Sequence, residues 1–220
     1  MSPVNDIQRI KLEVTVGSQA VTGLLESRKD ETPLVNVVLH PHPLYGGNMD
    51  NSVVKELVHL FHTLDEATFR FNFRGADFRG DFTGIKGAVE DFSSAIKKIE
   101  SIDSYQLRGI LGYSFGGSVA LLAGGLFKPD FVVALSPSMR LIRDFSDWDS
   151  ILQNISCPIL LVHGNRDSTV PVTSSQYIAR VTREELTSTV ILENEDHFYS
   201  NSLSHTCEII KDLVTSLNPE

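Results

Sequence analysis

Cysteine is nearly absent from these 220 residues: only Cys157 and Cys207 occur, far apart and in no CxxC pair. That excludes a disulfide scaffold, and the two read as free thiols in a reducing compartment. A chain of this length buries roughly 70% of its unfolded surface and needs no such staples. Positive charge is also scarce. Lys and Arg number 19 against 28 Asp and Glu, for a net charge of −9 and a pI near 5.2. An acidic surface argues against nucleic acid and anionic membranes as partners. No apolar run approaches the roughly 18 residues of a membrane span. The start, "MSPVNDIQRIKLEV", lacks a basic segment followed by an apolar one, so no secretory signal is expected and a cytoplasmic location is. Repeats, low-complexity tracts and linkers are missing too, so residues 1–220 read as one domain.

What is present is alternation. Two β-rich runs, "KLEVTV" (11–16) and "AVTGLLES" (20–27), flank Gly17 and read as a hairpin. Six short apolar runs follow at 34–40, 67–73, 107–114, 130–137, 158–164 and 188–194. Several are rich in Val and Ile, as strands buried on both faces are. Helical periodicity fills the gaps: Val54, Leu57, Phe61 and Leu64 in one segment, Val89, Phe92, Ile96 and Ile99 in another. A hairpin and then β-α alternation predict an eight-stranded, mostly parallel sheet with an antiparallel N-terminal hairpin and helices on both faces. Ligands of such sheets bind at the carboxyl ends of the strands.

Three of those ends carry chemistry. The run 107–114 ends in Gly112-Tyr113-Ser114-Phe115-Gly116, a G-x-S-x-G between strand and helix. A serine on so sharp a turn is strained, and its neighbours must lack side chains for strand and helix to pass closely. The turn lifts the hydroxyl above the sheet and aims a helix N-terminus at the same spot. A glycine-rich turn with an incidental serine is the plainer alternative. A serine nucleophile also needs a base and an orienting carboxylate. Asp167 follows the strand at 158–164, and His197 follows the one at 188–194. Singly, Asp167 reads equally as a helix cap and His197 as a surface loop residue. Together with Ser114 they form the order Ser, Asp, His expected on such a sheet. Asp196 adjoins His197, but adjacent residues rarely turn their side chains onto each other.

These features resemble the α/β-hydrolase family over nearly the whole chain. Within it, "HPHPLYGGNMDN" (40–51), "FNFRG" (71–75), "GYSFGG" (112–117), "HGNRDSTVP" (163–171) and "DHF" (196–198) are most similar to the small, lidless hydrolases related to dienelactone hydrolases. The nucleophile here is serine where dienelactone hydrolase has cysteine, so dienelactone is not carried over as substrate. The resemblance implies an α/β-hydrolase fold without a large cap and a carboxylesterase-like serine hydrolase. Its catalytic residues would be Ser114, Asp167 and His197, and it would need no cofactor. A thioesterase, peptidase or acyltransferase with the same triad remains an alternative, as does a non-catalytic interaction module on this fold. The partner implied is a small acyl substrate, and an exposed edge strand leaves a homodimer open.

The resemblance also places the oxyanion donors at the N–H of Phe115 and in the loop at 40–47. Pro41 and Pro43 have no N–H; the resemblance aligns the family's H-G-x loop with His40-Pro41-His42 and so implies His42 as the donor there, with Leu44 and Tyr45 as fallbacks. Asn51 or Ser52 caps the next helix. His40 and His42 form an H-x-H, but a zinc site needs a third ligand and would leave Ser114 unexplained; no metal is expected. His40 and His163 read instead as partners of backbone groups. Tyr45 and Phe198 flank catalytic positions and read as lining an acyl pocket, with core or rim packing the alternative. Arg74 and Gly75 shape the loop at 71–84, where a loop arginine such as Arg79 reads as solvated, with Phe78 or Arg79 bordering substrate the alternative. The segment 138–157 has room for a helix or two, with Trp148 packing it down.

Overall fold

A computed structural model of the chain describes residues 7–28, 34–78, 80–102 and 105–217. The hairpin comprises β1 (Ile7–Val16) and β2 (Gln19–Arg28). Val16 pairs with Gln19 across a two-residue turn in which Gly17 takes φ 59°, a conformation costly to a residue with a Cβ. The chain then alternates through β3 (Leu34–Leu39), α1 (Ser52–Thr63), β4 (Ala67–Phe71), α2 (Gly84–Glu100), β5 (Gln106–Tyr113), α3 (Phe115–Phe127) and β6 (Phe131–Leu135). It ends through α4 (Met139–Arg143), α5 (Trp148–Gln153), β7 (Ile159–Gly164), α6 (Thr173–Val181), β8 (Thr187–Leu192) and α7 (Leu203–Ser216). One eight-stranded sheet results, in the order β1-β2-β4-β3-β5-β6-β7-β8. β2 runs antiparallel to both its neighbours, and every pairing from β4 to β8 is parallel.

The first strand begins four residues before the apolar run at 11–16. Ile7–Ile10 are paired with β2 residue by residue but largely exposed. Backbone hydrogen bonds at the sheet edge extend the strand there, and they leave no apolar signature.

The inner strands sort their side chains by parity. Val38, Leu111, Tyr113, Val133, Leu135 and Val162 join the core beneath α1 and α7. Their neighbours Val37, Leu39, Ile110, Val132, Ala134 and Leu161 face the core shared with α2 through α6. The segment between β6 and β7 folds into two short helices, which pack on that core through Ile142, Ile151 and Leu152. It forms no cap over the sheet. Trp148 packs against the same core, and Cys157 and Cys207 are free and buried. Among the described residues, no helix is long and apolar enough to cross a membrane.

Helix α3 lies unusually close to the sheet. A Cβ on Gly116 would fall 2.4 Å from Leu39 O and 2.6 Å from His40 O. Both atoms are backbone of β3 and its outgoing loop, which cannot yield cheaply. Gly116→Ala is therefore expected to cost at least about 2 kcal/mol by overpacking, read from the urea midpoint. Wild-type stability in that variant would contradict the close approach.

Candidate active site

The turn after β5 is built by what its residues lack. A Cβ on Gly112 would sit 2.0 Å from Gly116 O, so only glycine lets the strand fold back against the first turn of α3. Ser114, between them, adopts φ 57° and ψ −113°, which costs a non-glycine residue on the order of 1–3 kcal/mol. Backbone bonds hold it there. Ser114 N donates to Leu135 O at 2.7 Å, and Ser114 O accepts from Ser118 N at 3.1 Å. The N–H of Phe115 at the start of α3 has no acceptor among the described residues, as expected of a helix N-terminus.

The hydroxyl so raised meets the imidazole. Ser114 Oγ lies 3.0 Å from His197 Nε2, and His197 Nδ1–H donates to Asp167 Oδ2 at 2.6 Å. Three residues from three strand ends thus share one hydrogen-bonded line. The Asp167 side chain is inaccessible to solvent. Burial pushes its carboxyl pKa up, but hydrogen bonds from His163, His197 and Val170 N–H outweigh this and hold it well below the usual carboxylate range. Asp196 is engaged elsewhere, accepting from Phe198 N at 2.8 Å and from Ser200 Oγ.

Around this line stands a tier of residues that strand-end reading missed. His163 Nε2–H is shared between Val170 O at 2.9 Å and Asp167 Oδ2 at 3.2 Å, while Nδ1 meets Ser175 Oγ at 2.7 Å. It satisfies a backbone carbonyl as expected, and it also gives Asp167 a second imidazole donor. Tyr113 donates its hydroxyl to His197 O at 2.8 Å, and burial keeps its pKa above the ordinary tyrosine value. Buried Glu195 accepts from Asp196 N and Asn201 N, bracing the loop that carries His197. Of these, Tyr113 was foreseeable: strand parity sends it to the face opposite Gly112, where the last loop returns.

The loop after β3 completes the site. Buried His40 accepts from Phe73 N through Nε2 at 2.9 Å and donates through Nδ1 to Pro41 O at 2.6 Å, so both its nitrogens serve backbone. His42 Nδ1 accepts from Leu44 N at 3.3 Å, and Tyr45 N donates to His42 O at 3.1 Å. Those bonds engage the N–H groups of Leu44 and Tyr45. The N–H of His42 has no acceptor among the described residues. The His42 ring packs 4.9 Å from that of Phe115, which ties the loop to the turn bearing Ser114. Asn51 caps α1, accepting from Val53 N at 3.0 Å.

A cleft of about 300 Å³ opens over these groups, lined by His42, Tyr45, Tyr113, Ser114, His197 and Phe198 among others. Depressions of 310–390 Å³ lie elsewhere on the surface, so chemistry rather than size singles this one out. Tyr45 is 88% and Phe198 66% exposed; they stand at its rim rather than in the core. Phe78 projects into solvent and is not among the residues lining the cleft. Arg79 lies outside the described residues. Arg74 is bound to Asp91 through Nε at 2.5 Å and through its N–H at 2.8 Å, and so shapes its loop.

The family model described as serine hydrolase (FSH1) matches residues 47–209. An uncharacterised protein of Rickettsia prowazekii is 28% identical over 191 residues, covering 83% of this chain and 79% of its own. An alpha-beta serine hydrolase homologue from Coxiella burnetii superposes with a TM-score of 0.80 at 24% identity, covering 93% of this chain and 97% of its own. A serine hydrolase without a lid from Xanthomonas campestris gives 0.81 at 22% identity, covering 97% and 96%. At these identities the two structures speak for the fold.

Burial lowers the pKa of His40 from 6.5 to about 4. The unfolded imidazole takes up its proton first as pH falls, so stability present above pH 6.5 is lost progressively between 6.5 and about 4. His40 alone contributes about 3 kcal/mol to that loss. Denaturation midpoints across this window should fall, and the His40 ring should stay neutral by NMR at pH 5. A His40 resonance titrating near 6.5 would contradict the burial.

Proposed function

This chain belongs to the serine hydrolase (FSH1) family, and from that premise we propose that it hydrolyses small, accessible acyl esters through an acyl-enzyme on Ser114. The observation that carries the reading is the unbroken line from Asp167 Oδ2 through His197 to Ser114 Oγ, with contacts of 2.6 and 3.0 Å, at the floor of an uncapped cleft.

Ser114 Oγ attacks the acyl carbonyl carbon while His197 Nε2 takes the hydroxyl proton. Asp167 fixes the tautomer that leaves Nε2 free and stabilises the imidazolium that forms. Negative charge developing on the carbonyl oxygen falls to the N–H groups of Phe115 and His42, each worth roughly 3 kcal/mol of barrier in comparable sites. His197 then protonates the leaving alkoxide. In the second half-reaction it takes a proton from water as the water oxygen attacks the acyl carbon; the Ser114 Oγ–acyl bond then breaks, His197 returns the proton to Oγ, and the carboxylic acid leaves. The exposed rings of Tyr45 and Phe198 offer apolar contact to the acyl chain, and an open cleft suits a short one. No step calls for a cofactor.

Ser114→Ala should lower kcat toward aryl esters by about 10⁶-fold, since triad members act as a unit. Turnover within tenfold of wild type would assign the activity elsewhere. The base must be neutral to work, and Asp167 stays ionised across the working range. His197→Ala should lower kcat toward the same esters about as far as Ser114→Ala does, and turnover retained in that variant would exclude His197 as the base.

A further inference from the structure

Beside the cleft lies a second depression of about 310 Å³, between α4 and α6, whose walls include Arg140, Arg143, Thr173, Tyr177, Ser138 and Val170. Its chemistry is unlike that of the surrounding surface. The chain carries a net charge of −9, yet no carboxylate lines this groove among the described residues. Ion pairs engage Arg9, Arg28, Arg70, Arg74, Arg108 and Arg183, whereas Arg140, Arg143, Arg166 and Arg180 have no acidic partner among the described residues, and of these four only Arg140 and Arg143 line this groove. Helical spacing puts both on one side of α4. Arg143 is not left to wander. Its guanidinium lies 4.7 Å over the Tyr177 ring and 6.0 Å from the centroid of Trp148, so cation–π attraction restrains it at the groove. The N-terminus of α6 opens on the same groove with no acidic residue in its first turn, and its dipole has the same sign.

The groove is mechanically joined to the site. Ser118, one turn beyond Ser114, accepts from Ser138 N at 2.9 Å. Ser174 fastens the start of α4 to that of α6, accepting from Met139 N at 2.6 Å and donating to Pro137 O at 2.7 Å. Thr169 lines the cleft over Ser114, and the next residue, Val170, lines the groove. The two depressions therefore meet across a single peptide.

We propose that this groove is a specificity subsite, in which Arg140 and Arg143 bind a carboxylate or phosphate carried by the ester that Ser114 attacks. The proposal rests on the hydrolase reading above. An anionic group on the acyl chain and one on the leaving group would be recognised by the same chemistry, and the experiment separates them.

In the first arm, the p-nitrophenyl half-esters of adipic and suberic acid are compared with p-nitrophenyl hexanoate and octanoate. In the second, 4-butyryloxybenzoate is compared with 4-butyryloxybenzamide. In Arg140→Gln/Arg143→Gln, the ratio of kcat/KM for anionic to neutral ester should fall at least about tenfold in one arm, and that arm identifies which end of the substrate is charged. Added salt should lower the wild-type ratio in the same arm. A ratio unchanged within about twofold in both arms overturns the proposal. A readout independent of turnover comes from Trp148, the chain's one tryptophan. Titration with adipate should change its fluorescence saturably in the wild type and not in the double variant. Both side chains are exposed, so the variant should fold, and Arg140→Gln alone provides a milder test. If adipate saturates while no ester is cleaved, the hydrolase reading fails and the anion site stands. If esters are cleaved while both the ratios and the titration are flat, the site fails and the hydrolase reading stands.

Discussion

The tight crossing of β5 and α3 is the constraint on which the rest of this molecule depends. Two backbones approach so closely at Gly112 and Gly116 that a single methyl on either would overlap a carbonyl oxygen. The residue between them has no room for a relaxed conformation and is driven to φ 57°. That strain lifts Ser114 Oγ off the sheet toward His197, and it turns the Phe115 N–H toward the same space. A looser crossing would let Ser114 relax and would dissolve the geometry. Well-packed elements on either side hold the strain in place: α3 is buried along its first ten residues, and β5 is one of the two central strands of the sheet, paired to β3 on one flank and β6 on the other.

Around that point the molecule fixes its polar groups by redundancy. Asp167 takes bonds from two imidazoles and from the N–H groups of Thr169 and Val170, so its carboxylate is oriented before any substrate arrives. Buried His40 links β3 to the chain leaving β4, which positions the loop bearing His42. Tyr113 and Glu195 restrain the backbone on either side of His197. Preorganisation of this kind matters because a dipole already aimed at a developing charge needs no reorientation during the reaction.

Much of this was legible in residue order. Ser114, Asp167 and His197 each stand just past an apolar strand, and parallel strands deliver their ends to one edge of the sheet whatever lies between. Proline chemistry removed only Pro41 and Pro43 as donors; the preference for His42 came from the resemblance, and the N–H groups of Leu44 and Tyr45 turn out to bond within their own loop. Other features left no trace in the sequence. His163 lies inside a strand, where its approach to Asp167 depends on how the chain turns back four residues later. The first residues of β1 alternate poorly because edge pairing, not burial, makes them a strand. The basic groove could not be read either, because Arg143 and Tyr177 come together only through the docking of α4 on α6. Local pattern encodes which residues reach the edge, and tertiary packing decides which of them touch.

The central claim is that the Ser114 hydroxyl is a nucleophile facing two backbone donors that wait for an oxyanion. A crystal structure of the protein after reaction with a fluorophosphonate tests it most directly. The account predicts a covalent bond from Ser114 Oγ to phosphorus, with the phosphoryl oxygen about 2.7–3.1 Å from both Phe115 N and His42 N. An unmodified Ser114, or a phosphoryl oxygen turned to solvent with neither N–H engaged, would contradict it.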